Sequence, residues 1–152
     1  MLASRASEYG MQVLVYLQEN VQDGYVSVKH IAAQCGISPS FLSKVVKQLV
    51  EKGLLSSQKG PGGGVRLGRP AKDIRLIDVV EAIDGLGFEN RCAIGYPGCG
   101  KDAPCPIHDR WGPIREEIGR MLSERSLYSL VHDMSPDATS ARGREDAQSS
   151  HD

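Results

Sequence analysis

Four side chains able to bind a metal lie within 17 positions: Cys92, Cys99, Cys105 and His108, spaced C-x6-C-x5-C-x2-H. Thiolates and imidazole are the donors of zinc and iron-sulfur centres. Convergence of all four requires sharp backbone turns between them, and Gly95, Pro97-Gly98, Gly100 and Pro104 supply the residue types for such turns. The step from Cys105 to His108 is i, i+3, so one helical turn puts both side chains on one face, and Pro106 marks a helix start there. Structural zinc sites use cysteine pairs separated by two to four residues, whereas gaps of six and five suit a bulkier iron-sulfur cluster. Zinc and a metal-free set of redox thiols are the two alternatives. Residues 87–112 hold five Gly and three Pro with little apolar periodicity, so this stretch is either disordered or tied down by something other than burial. The fourth cysteine, Cys35, falls among apolar residues at helical spacing and reads as core. His30, His132 and His151 have no ligand types nearby and read as solvent-facing.

The elements that must position this loop are short. Ala6, Tyr9, Val13 and Leu17 recur at helical steps and predict a first helix over residues 4–20, followed by an Asp23-Gly24 turn. Ser27 caps a second helix bearing Val28, Ile31, Ala32 and Cys35 and closed by Gly36. Ser38 and Pro39 open a third, with Leu42, Val45, Val46, Leu49 and Val50 as its apolar stripe and Gly53 at its end. Two strand-like pieces, 54–57 and 65–67, flank Gly60-Pro61-Gly62-Gly63-Gly64 and read as a two-stranded wing. A further helix is predicted over 76–84, closed by Gly85. Pro113 is expected to open a long terminal helix reaching about residue 131, with Ile114, Ile118, Met121, Leu122 and Tyr128 on one face. With no partner evident within the chain, that face suggests a second subunit. Residues 135–152 contain no Val, Leu, Ile, Met or aromatic side chain and are expected to be disordered. The fold class is therefore mainly α: a winged helix-turn-helix (1–73), a helix and cysteine-rich cluster loop (74–112), a dimerisation helix (113–134) and a tail (135–152).

Overall the 152 residues carry a formal charge of -1, but the charge is segregated. Residues 38–75 hold eight basic and two acidic side chains, net +6, and residues 76–152 are net -6. A helix pair whose second member is basic on its polar side, joined to a glycine-rich wing, is the arrangement that enters a DNA major groove. Nucleotide binding is excluded by the residues after the glycines: Gly63 to Gly68 has Walker A spacing, but Arg69-Pro70 stands where Lys and Ser or Thr are needed. No Ser/His/Asp grouping or paired-carboxylate motif supports catalysis, so the chain is not expected to be an enzyme. No apolar run is long enough to span a bilayer and the N-terminus does not read as a signal peptide, which predicts a cytoplasmic protein without a membrane partner.

Ser38-Pro39-Ser40-Phe41-Leu42, Gly53-Leu54-Leu55, the Gly60–Gly64 wing, Val79-Val80-Glu81-Ala82-Ile83-Asp84 and Cys92, Cys99 and Cys105 occur in one order over residues 1–130. In this combination the chain resembles the bacterial winged-helix regulators of the Rrf-two family, which includes iron-sulfur cluster regulators and nitric-oxide sensors. The resemblance implies a homodimer on double-stranded promoter DNA, each basic helix in a major groove, with a cluster held by Cys92, Cys99 and Cys105. His108 matches the histidine of the iron-sulfur cluster regulators, which implies [2Fe-2S]. Glu8 lies where nitric-oxide-sensing relatives place an acidic ligand from across the dimer, which implies [4Fe-4S]. The chelating step from Cys105 favours His108, and with it [2Fe-2S], although the first gap of six is longer than in those regulators.

The expected DNA contacts are Ser38, Ser40, Phe41, Ser43, Lys44 and Lys47 from the reading helix, with Lys59, Gly62, Gly63 and Arg66 from the wing. The expected function is a repressor whose DNA affinity depends on the state of the cluster, sensing nitric oxide, redox state or iron supply. The alternatives are an electron-transfer or cluster-delivery protein, which leaves the +6 segment without a purpose, and a thiol-based or zinc-containing regulator. Cys99→Ala is expected to abolish the visible chromophore of anaerobically purified protein; full cluster absorbance in that variant would remove Cys99 from the ligand set.

Overall fold

The computed structural model describes residues 3–85, 92–95 and 105–134. Helix α1 (Arg5–Asn20) begins where the Ser4 side chain accepts a hydrogen bond from the Ser7 amide at 3.1 Å, satisfying one of the helix's unpaired N–H groups. Helix α2 (Val28–Cys35) is capped in the same way by Ser27 on His30 and ends on Gly36 at φ +67°. Helix α3 (Pro39–Glu51) has Pro39 in its first turn. Ser38 stands at the cap position, but its hydroxyl bonds Ser40 Oγ at 3.0 Å rather than a helix amide.

Strands β1 (Leu55–Gln58) and β2 (Gly64–Leu67) pair antiparallel, with Leu55 opposite Leu67 and Gln58 opposite Gly64. A third backbone piece joins the wing at its root. Val26 and Val65 exchange two hydrogen bonds of 2.9 and 2.8 Å, tying the α1–α2 connection to β2. The glycines expected to meet another surface are needed first for the wing itself. Gly60 and Gly62 have positive φ, and a Cβ on Gly63 or Gly64 would overlap the carbonyl oxygens of Gln58 or Val26.

A 3-10 turn (Ala71–Asp73) leads to α4 (Leu76–Asp84), which occupies the predicted span. Helices α1, α3 and α4 pack on one another around Val13, Leu14, Leu17, Leu42, Val45, Leu49 and Val79.

The C-terminal part differs from expectation. Helix α5 (His108–Glu124) begins five residues before Pro113, which lies inside it, and a separate α6 (Leu127–Met134) comes after it. The break has an identifiable cause: Ser126 Oγ accepts from the Ser129 amide at 3.0 Å and Ser129 Oγ accepts from the Ser126 amide at 3.1 Å. That reciprocal cap starts a new helix. The extended backbone between the helices bonds Ile74 and Leu76, with Leu127 N–H to Ile74 O at 2.8 Å and Leu76 N–H to Arg125 O at 3.0 Å. Leu127 is consequently fully buried and α6 lies on α1, so this segment does have a partner within the chain. The predicted apolar face is thereby divided. Ile114 and Met121 of α5 remain exposed, whereas Tyr128 of α6 stacks on His132. The predicted tail, 135–152, lies outside the described residues.

Gly64→Ala is expected to lower the thermal midpoint, because its Cβ meets the Val26 backbone and no side chain can yield. Gly112→Ala, in open space within α5, is expected to raise stability by about 0.5–1 kcal/mol. Thermal unfolding of the two variants checks both signs.

Candidate DNA-reading head and cysteine centre

The reading face arises from the amphipathic α3. Its buried side carries Leu42, Val45, Val46 and Leu49, which leaves Ser40, Ser43, Lys44 and Lys47 exposed on the other. Neither lysine is in an ion pair among the described residues. Ser43 Oγ donates to the Pro39 carbonyl at 2.9 Å, and Phe41 is 38% exposed. The Phe41 ring meets Tyr9 of α1 edge-on, with centroids 5.5 Å apart. In the wing Lys59 and Gly62 are exposed at the tip, Gly63 is half-buried, and the exposed Arg66 lies over the Tyr25 ring at 4.7 Å. This cation–π contact holds the guanidinium beside the wing. One charge of the basic segment is drawn away from DNA: Arg75 bonds Asp78 at 2.8 Å. The hydrogen bond to Asp78, and then its negative charge, push the Arg75 guanidinium pKa above its ordinary value.

Of the predicted cluster ligands, Cys92 and Cys105 are brought together, with Sγ atoms 3.7 Å apart although 13 residues separate them. Cys92 is half-buried and Cys105 is buried. His108 opens α5, and its amide donates to the Cys105 carbonyl at 3.1 Å, closing the turn that carries both residues. Cys99 lies outside the described residues. Glu8 is exposed in the first turn of α1 and faces Arg5 at 3.9 Å. Among the described residues no group of three or more His, Cys, Asp or Glu side chains is assembled around one point. Cys35 packs half-buried against the core, and burial raises its thiol pKa.

The donor chemistry at Cys92 and Cys105 fits a metal. Two thiolates on one tetrahedral ion, at bonds of about 2.3 Å, stand about 3.8 Å apart, close to the 3.7 Å observed.

Two connections between these regions were not foreseen from the sequence. Asp84, the last residue of α4, accepts from the Ser4 amide at 3.0 Å and from the Ser7 hydroxyl at 2.8 Å. Ser7 is the one buried polar side chain among the described residues. Gln48 of α3 donates to the Ile83 carbonyl at 3.4 Å. The root of the cysteine loop is therefore attached both to the N-terminus of α1 and to the reading helix. The pairing of Ser4 and Ser7 at spacing three was a visible signal of a cap, but nothing local pointed to an acceptor some 80 residues away.

The family profile described as "Rrf2: Iron-dependent Transcriptional regulator" matches residues 3–133. The chain belongs to the Rrf2 family. It is 33% identical over 138 residues to the HTH-type transcriptional regulator IscR of Photorhabdus laumondii, covering 91% of this chain and 82% of that protein. It is 35% identical over 123 residues to IscR of Xenorhabdus nematophila, covering 81% and 74%. Among solved structures, IscR of T. potens superposes with a TM-score of 0.69 at 25% identity over 88% of each chain. CymR (YrzC), the global cysteine regulator of B. subtilis, superposes with a TM-score of 0.70 at 24% identity over 87% of this chain and 97% of that one, a likeness of fold. This Rrf2 chain is accordingly a DNA-binding transcriptional regulator of winged-helix architecture and not an enzyme. No described helix is long and apolar enough to cross a membrane.

Asp84→Ala removes an acceptor from the α1 N-terminus and strands the buried Ser7 hydroxyl. A loss of about 1–2 kcal/mol is expected, and urea unfolding monitored by circular dichroism measures it.

Proposed function

We propose that this Rrf2 protein is a cytoplasmic, homodimeric repressor whose affinity for promoter DNA is set by an iron-sulfur cluster on the loop between α4 and α5. The observation that carries the reading is the approach of the Cys92 and Cys105 thiols to 3.7 Å in a region otherwise poor in apolar contacts. Cys92, Cys99 and Cys105 would hold the cluster, with His108 as fourth ligand in preference to Glu8. The spacing favours [2Fe-2S] over [4Fe-4S], because a [2Fe-2S] centre puts two protein ligands on each iron whereas a [4Fe-4S] cube uses one per iron. The naming of relatives at 33–35% identity as IscR supports the same assignment. When bound, such a group supplies one-electron redox chemistry and reactivity toward oxygen or nitric oxide.

The chain's own residues convert occupancy of the loop into DNA affinity. Cys92 and Cys105 hold the ends of the loop together, and Asp84 at its root bears on Ser4 and Ser7 of α1. One turn along, Tyr9 presses on Phe41 at the start of the reading helix. Movement at the root therefore reaches the head that presents Ser38, Ser40, Ser43, Lys44 and Lys47. Lys59, Gly62, Gly63 and Arg66 meet the backbone alongside. The exposed Ile114 and Met121 of α5 supply the face for a second copy.

The test is iron and sulfide analysis of anaerobically purified protein, combined with mobility shifts on duplexes that the wild-type protein selects from a random pool. Cys92→Ser and Cys105→Ser are expected to lose iron and, with it, the response of DNA binding to nitric oxide or air. Lys44→Ala and Lys47→Ala should each weaken DNA binding and lower the logarithmic salt slope by roughly 1 while keeping full iron content. Iron-free wild-type protein with an unaltered DNA response would overturn the cluster reading, and unchanged DNA affinity in the double lysine variant would overturn the reading head.

A further inference from the structure

Cys92 and Cys105 also form a pair able to react with each other. Thiol–disulfide exchange needs two sulfurs close enough to bond after small side-chain rotations, and one of them must be reachable by the oxidant. Both conditions hold: the sulfurs are 3.7 Å apart, Cys92 is half-buried, and Cys105 is 8% exposed.

We infer that the cluster-free protein is a thiol-disulfide switch in which Cys92 is the attacking cysteine and Cys105 the resolving one, with low-molecular-weight disulfides as oxidant. The Cys92 thiolate attacks one sulfur of the small disulfide R–S–S–R. The S–S bond of the oxidant breaks, a mixed disulfide forms at Cys92, and one R–S⁻ leaves. The Cys105 thiolate then attacks the Cys92 sulfur of that mixed disulfide, forming the Cys92–Cys105 bond and expelling the second R–S⁻. The protein dithiol loses two electrons and two protons; the oxidant gains both and departs as two R–SH. The order is set by access, since Cys105 is covered by its surroundings and Cys92 is not. Cys35 stays outside the reaction, because burial against the core raises its pKa and lowers its thiolate fraction. The resulting bond closes the loop covalently in the register the structure already shows, so the oxidised chain keeps the loop ends paired without metal.

The experiment uses full-length protein stripped of iron by a chelator, with iron content checked, and treated with oxidised glutathione. Thiol titration and peptide mass mapping without reduction read the result. Trypsin cuts at Arg91, Lys101 and Arg110, placing Cys92 and Cys99 on one peptide and Cys105 on the next, so variants resolve the pairing. Wild type and Cys99→Ser are expected to lose two titratable thiols per chain and to show the two peptides linked. Cys105→Ser should stop at a stable glutathione adduct on Cys92, and Cys92→Ser should form no linked peptides. A linked pair persisting in Cys92→Ser, or a bond between Cys92 and Cys99 in the wild type, would overturn the assignment. Because the starting protein carries no iron, this result stands or falls separately from the cluster reading, which is decided by iron content after anaerobic purification.

Discussion

The close approach of α4 to α1 at Gly10 is the constraint on which the rest of the structure depends. A side chain at Gly10 would run into Ile83 and press on Val79, so only the hydrogen of glycine lets the two helices meet this tightly. That contact sets the depth at which Val13, Leu14, Leu17, Val45 and Val79 interlock. It also brings the end of α4 to the beginning of α1, where Asp84 reaches Ser4 and Ser7. A helix terminus with unpaired amides is a favourable place for a carboxylate, and here the carboxylate comes from the far end of the domain. The loop carrying the cysteines therefore leaves the core at a point already joined to the DNA-binding half.

Helix α1 is the common support of both halves. It packs against α2, α3, α4 and α6, and its Tyr9 contacts Phe41 at the start of the reading helix. The bridge from Val26 to Val65 fastens the wing to the connection between α1 and α2. Reading helix and wing are thus held to one frame by buried apolar contacts and by backbone hydrogen bonds, both insensitive to salt. The charges that face outward, Lys44, Lys47, Lys59 and Arg66, are left for phosphate, where their attraction is salt-dependent. Arg75 belongs to the same basic stretch but serves the helix cap through Asp78, so net charge overstates the footprint by one residue.

Local chemistry was legible in the sequence wherever a short-range rule decided the outcome. Ser27 with Gly36 bounded α2, Pro39 opened α3, and Gly85 closed α4. The wing was visible because glycine and proline punctuate it. Pro113 misled for a physical reason: proline is favoured at a helix start but is also tolerated inside a helix, and α5 begins earlier, in the turn closed by Cys105 and His108. The split between α5 and α6 was hidden because Ser126 and Ser129 form a cap without the acidic residue that usually signals one, and because the extended link is held by Ile74 and Leu76 from elsewhere in the chain.

By itself the sequence determined the class of protein: a basic reading helix, a glycine wing, and cysteines in a stretch that burial cannot order. These depend on residue types at fixed local spacings, which survive without knowledge of the fold. Only the tertiary structure decided which cysteines meet, where the loop is anchored and which apolar residues remain outside. Cys92 and Cys105 are 13 residues apart, and Asp84 lies 77 residues from Ser7. Contacts at such separations are set by how helices pack, and no local pattern encodes them.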